Sequence, residues 1–158
     1  MKTTSNYKSI GGVESVALYP VEAVATALFS SEGCEVVFSG VPIEVALIDD
    51  ASHYEESSCL ECGTTTVSHL LHLVADINDG ERWLDQRVLD QAFFEGFVAV
   101  VTLCSGARLL VGYSAQLTNE QPLRLASVTS SSGSSLHETP SVTLRLVSRD
   151  TEFSAHIL

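Results

Sequence analysis

Four cysteines, five histidines and two adjacent carboxylate pairs are the side chains of this 158-residue chain with the most chemistry to offer. Cys59-Leu-Glu-Cys62 has the C-x-x-C spacing of a metal knuckle, but a tetrahedral zinc site needs two further ligands. His69 and His72 are the nearest. On a strand an odd and an even position point to opposite faces, so both cannot reach one ion. His53 would have to help through a partner strand. A redox dithiol draws its acidity from a helix N-terminus, whereas Gly63 and a Thr-rich segment follow here. We therefore expect Cys59 and Cys62 to be two thiols near a hairpin tip, with no bound metal or cofactor. They remain the candidate metal pair.

The pairs Asp49-Asp50 and Glu55-Glu56 are adjacent, so on strands each splits between two faces and forms no local catalytic dyad. They read as solvated edges or turns, where acids discourage edge-to-edge aggregation. The sequence contains no G-x-S-x-G elbow, no G-x-x-x-x-G-K-[ST] loop and no G-x-G-x-x-G fingerprint. His137, beside Glu138 in a Ser-rich stretch, reads as an exposed loop residue. Trp83 opens a helical segment and should pack on a sheet. The residues point to no reaction, and the expectation is a protein that is not an enzyme.

The elements that would position these residues are mostly strands. Val13 to Tyr19 reads as a strand stopped by Pro20. Val21 to Leu28 is ambiguous: Val21, Val24 and Leu28 fit a helical face, but the segment is short. Glu35 to Phe38 is a strand. Pro42 to Ile48 is another, with Ile43, Val45 and Leu47 on one face and Glu44 on the other. Ser52 to Ser58 and Thr64 to Asp76 pair as a long hairpin turning at Glu61-Cys62-Gly63. Arg82 to Glu95 reads as the one helix: Leu84, Val88 and Ala92 recur every four residues, Leu89 and Phe93 lie beside them, and Gly96 caps it. Phe97 to Leu103 is a buried strand, followed by Cys104, expected in the core. Ser105-Gly106 turns the chain into Arg108 to Tyr113. Leu123 to Thr129 is a further strand, and Ser130 to Ser135 is a loop. Val142, Leu144 and Leu146 alternate with Thr143, Arg145 and Ser148 in a half-buried strand. Residues 1–12 read as a flexible arm and 150–158 as an irregular tail. The expected fold is mainly β (α+β): one domain over 1–158, an antiparallel β-sandwich or small barrel with one flanking helix near residues 82–95.

The formal net charge is −12. Residues 1–81 hold thirteen acids against two lysines, while residues 82–158 hold seven acids against six arginines. No cation stands between Lys8 and Arg82. A grip on nucleic acid needs clustered cations, so no specific nucleic-acid binding is expected. Glu44, Asp49, Asp50, Glu55 and Glu56 are the expected acidic face, a surface that would repel a phosphate backbone or simply confer solubility. The polar opening residues lack the apolar core of a secretion signal, and no run reaches membrane-spanning length. The expectation is a cytoplasmic or virion protein with reduced thiols and no membrane contact. A 45% hydrophobic composition points to subunit contacts.

Three stretches carry a family resemblance. Ser9-Ile-Gly-Gly-Val-Glu-Ser-Val-Ala-Leu-Tyr19 resembles the opening of small prophage-encoded structural proteins, where a Gly-Gly turn leads into a first strand. Thr66 to Ala75 is similar to their long central strand. Ser132 to Ser135, followed by Thr139 to Ser148 and Asp150-Thr151, resembles their closing loop and strand. Gly96 to Gly112 looks like their strand pair. The likeness covers about half the chain. It implies a structural component of a bacteriophage or prophage-derived tail or neck, a tail-tube or tail-completion type of subunit. Such a protein would work by self-assembly, with copies of itself or other tail and neck proteins as partners. On that reading the 52–76 hairpin is the assembly arm, with Tyr54, Glu55, Glu56, Val67 and Leu71 as its contact residues. The alternative is a ligand- or carbohydrate-binding β-sandwich module.

Overall fold

The computed structural model describes residues 12–48, 51–61, 63–76, 83, 85–132 and 140–158. β-Branched and leucine residues alternating with polar ones give most of these segments one apolar and one polar face, which is the pattern of a half-buried strand. Eleven strands are described. They are β1 (Val13–Pro20), β2 (Val24–Phe29), β3 (Cys34–Phe38), β4 (Ile43–Glu44), β5 (His53–Glu61), β6 (Thr64–Asp76), β7 (Phe97–Leu103), β8 (Arg108–Val111), β9 (Arg124–Ser131), β10 (Ser141–Asp150) and β11 (Ala155–His156). A five-stranded sheet runs β11-β8-β7-β1-β4, a four-stranded sheet runs β5-β6-β10-β9, and β2 and β3 form a separate hairpin. Every strand pairing within these sheets is antiparallel.

The two larger sheets face each other across the main core. Val16, Leu18, Phe97, Ala99, Val101 and Val111 meet Leu71, Leu73, Leu125, Val142, Leu144 and Leu146. The β2–β3 hairpin lies on the other side of the five-stranded sheet, where Cys34 joins Val98 and Leu110 in a second cluster. The molecule thus has three layers: hairpin, five-stranded sheet, four-stranded sheet. This explains why Phe97 to Val101 is apolar at every position, since β7 is buried on both faces.

Sandwich and barrel were alternatives in the sequence, and the structure is sandwich-like, with backbone links between its two larger sheets. On one side Ile48 N donates to Val74 O (2.9 Å) and Asp76 N to Ala46 O (3.1 Å), so the chain after β4 passes from one sheet to the other. On the other side Phe97 and Leu123 exchange two backbone hydrogen bonds of 2.8 and 2.9 Å. The two sheets are therefore linked at two places, through the end of β6 and through the start of β7, while β5 stays an edge. Gly112 makes the second seam possible: at φ +90°, a Cβ there would lie 2.7 Å from Phe97 O and 3.0 Å from Leu123 N.

Several expectations are corrected. The helix spanning Arg82 to Glu95 is not continuous α-helix. The Asp85 carboxylate accepts from Arg87 N and starts α1 (Gln86–Asp90) there, and Gln91–Glu95 then widens into a π turn closed by Gly96 N donating to Gln91 O (2.9 Å). Gly96 does cap it, at φ +79°. Ala92 is buried while Phe94 is exposed, and Arg82 and Leu84 lie outside the described residues. Trp83 is fully buried and meets Phe97 edge-on at 6.0 Å. Val21 to Leu28 resolves into a 3-10 turn, Val21–Ala23, and β2. Cys104 is exposed, because it sits in the turn beyond β7, where its N–H donates to Gly12 O. The tail is not irregular throughout. β10 runs to Asp150, Ala155 and His156 pair with Leu110 and Leu109, and Ile157 bridges to Cys34, because Ala155 and Ile157 fill the second core cluster. Among the described residues no helix is long and apolar enough to cross a membrane.

Candidate functional site

The alternation of β10 places Val142, Leu144 and Leu146 in the core and turns Thr143, Arg145, Val147 and Arg149 outward. Register then decides what stands beside them. Arg145 lies opposite His72 on β6, which lies opposite His53 on β5. Val147 lies between Arg124 on β9 and Leu70 on β6, and Leu70 faces Glu55. Arg149 lies opposite Ser68, which faces Ser57. Directly opposed residues on one face are about 5 Å apart, so these rows form one continuous surface.

That surface is a shallow basin of about 500 Å³ on the outside of the four-stranded sheet, with Gln121 and Pro122 on its rim. Of the five arginines among the described residues, Arg124, Arg145 and Arg149 line it, with Glu55 as its carboxylate. Val147, 38% exposed, and Leu70 form an apolar floor between them. Arg124 Nε donates to Phe94 O at 3.2 Å, which anchors one guanidinium beside an exposed phenylalanine. Three planar forks of donors around an apolar floor suit carboxylate groups presented on an apolar surface.

Along the same face His53 and His72 stack at 4.8 Å, and His53 Nε2 lies 3.4 Å from Glu55 Oε1. Burial holds the His72 imidazole below its ordinary value; His53 and Arg145 push the same way and Glu55 opposes them. His69 is on the opposite face, as its spacing from His72 requires. Its Nε2 donates to the Glu152 carbonyl (3.1 Å), which can only accept, so in the neutral ring Nδ1 accepts from Tyr54 OH (2.6 Å). Burial pushes the Tyr54 phenol well above its ordinary value, and Glu56 adds to the shift. The Ser154 hydroxyl and N–H both donate to Glu56. The segment after β10 is thereby strapped across the inner side of the β5–β6 hairpin.

The structure divides the residues expected to act together. Tyr54, Glu56, Val67 and Leu71 share the inner face of the hairpin, where Val67 and Leu71 are buried within the chain. Glu55 alone of that set faces outward. The expected acidic face is likewise split: Glu55 and Glu56 point apart, Glu44 lies on the five-stranded sheet, and Asp49 and Asp50 lie outside the described residues. Cys59 is exposed on the outer face of β5, while Cys62 and His137 also lie outside the described residues. Among the described residues no three His, Cys, Asp or Glu side chains are grouped to hold a metal ion. The arginine basin was missed in the sequence. Its partial signal was Arg145 and Arg149, an even spacing on a strand; Arg124 joins them only through strand register. No family model, no curated protein and no solved structure matches this chain.

Proposed function

We propose that this chain is a non-catalytic structural subunit that acts by self-assembly, as a component of a bacteriophage or prophage-derived tail. The observation that carries the reading is the edge of the four-stranded sheet. β5 is nine residues long, and among the described residues only β6 pairs with it. Such an edge accepts a strand from another chain through main-chain hydrogen bonds. The Tyr54–His69–Glu152 and Glu56–Ser154 contacts hold the hairpin from its inner side, so the edge is presented in a fixed geometry. Leu60, 73% exposed near its tip, adds apolar surface. A ligand-binding β-sandwich module is the second reading, and the arginine basin is the observation that favours it.

Negative-stain electron microscopy of concentrated protein tests the assembly reading. The expected result is rings or short stacks, with fewer of them for Leu60→Lys, which sets a charge beside the strand edge. Dispersed single particles for both proteins at every concentration overturn it.

A further inference from the structure

We infer that copies of this chain associate head to tail, the arginine basin of one seated on the outer face of the β2–β3 hairpin of the next. The inference rests on the self-assembly reading and adds a second contact to the one through the β5 edge.

The three-layer order puts these two surfaces on opposite sides of the molecule: one core cluster joins the hairpin to the five-stranded sheet, and the other joins that sheet to the four-stranded one. On β2 and β3, Phe29, Cys34, Val36 and Phe38 turn inward to the second cluster. The alternation therefore turns Leu28, Glu35 and Val37 outward. Leu28 is 68% exposed and Val37 58%, high values for apolar side chains; they lie diagonally across the strand pair, Leu28 opposite Glu35 and Val37 opposite Thr26. Exposed Glu35 stands directly opposite Leu28, and exposed Glu22 and Glu32 lie in the turn before β2 and in the β2–β3 turn. No lysine or arginine occurs anywhere from residue 9 to residue 81.

The two faces have one composition with opposite charge. One carries Leu28, Val37 and Glu35, with Glu22 and Glu32 in the turns at the ends of the hairpin; the other carries Leu70 and Val147 with three arginines and the single carboxylate of Glu55. Joining them buries both apolar pairs and sets guanidinium forks against carboxylates, while two like faces repel. Because the surfaces differ, the contact is heterologous. It propagates as a stack or closes as a ring according to the rotation between copies, and does not stop at a dimer.

A charge exchange tests this with full-length protein. One variant carries Arg145→Glu and Arg149→Glu; the other carries Glu32→Arg and Glu35→Arg. All four positions are exposed, and circular dichroism checks that each variant folds. In the first variant both faces are acidic, and in the second both are basic. Each alone should associate about tenfold or more weakly than wild type, as like charges are set together. An equimolar mixture should recover assembly, since each face then finds its opposite in the other variant, and an unfolded variant could not be rescued in this way. Wild-type association in either variant alone, or no recovery on mixing, overturns the head-to-tail contact while leaving self-assembly through β5 standing. A wild-type protein that stays monomeric overturns the self-assembly reading itself, and this contact with it.

Discussion

Replacing Gly112 by alanine probes the seam that closes the sandwich. A Cβ at this position would stand 2.7 Å from Phe97 O, 3.0 Å from Leu123 N and 3.4 Å from Leu123 Cβ, at a φ of +90°. The first two atoms belong to the backbone groups that exchange hydrogen bonds between Phe97 and Leu123, so relief by a side-chain rotation is closed off. Left-handed backbone costs a non-glycine residue about 1–2 kcal/mol. Forcing an extra methyl into a packed site adds about 1–3 kcal/mol. The expected loss is their sum, about 2–5 kcal/mol, or a fall in Tm of about 5–20 °C for a domain of this size. Gly106→Ala is the control: its φ is +95°, but a Cβ there meets nothing within 4 Å. It carries the backbone cost alone, about 1–2 kcal/mol. Urea denaturation of both variants, followed by circular dichroism, measures the difference. Equal losses, or a larger loss for Gly106→Ala, would refute the claim that Phe97 and Leu123 close the sheet against Gly112.

Other consequences are as concrete. Tyr54→Phe removes the donor to buried His69 Nδ1 and should cost about 1–3 kcal/mol, with faster hydrogen exchange around Glu152 to His156; unchanged exchange would mean that the strap is not held there. The His72 pKa is depressed on folding, so the unfolded chain takes up this proton first as the solution is acidified. Its contribution is therefore lost as pH falls from above the ordinary histidine range through the depressed value, and His72→Gln should flatten that segment of the stability profile measured by urea titration. Thiol alkylation of reduced, folded protein should label Cys59 and Cys104 quickly and Cys34 only on unfolding. Cys34 is fully buried and burial pushes its thiol up, so early labelling of Cys34 would contradict the docking of the β2–β3 hairpin.

Local pattern made much of this architecture readable. Thr64 to Asp76 alternates strongly enough to define a strand, and Gly63, at φ +80°, turns it back on β5. Gly96 marked the end of the helical segment and Trp83 its packing side. Features set by a single side-chain contact, by the end of a strand or by distant partners were not readable. The helix start depends on the Asp85 side chain, and its last turn widens before the break at Gly96. The tail becomes a strand only because Leu109 and Leu110 offer it an edge. Cys104 follows an apolar run but falls in the turn after it. The charge count was sound, yet its meaning changed in three dimensions. Register gathers Arg124, Arg145 and Arg149 from two strands onto one face, and the alternation of β5 divides Glu55 from Glu56.

Sedimentation equilibrium of the wild-type chain, over a wide concentration range at low and at high salt, tests most directly the claim that it assembles through opposed charged faces. The account predicts a mass that rises above the 16.9 kDa of one chain with concentration and falls back toward it near 1 M salt, where the screening length shrinks to about 3 Å. A single mass of 16.9 kDa under every condition would contradict it.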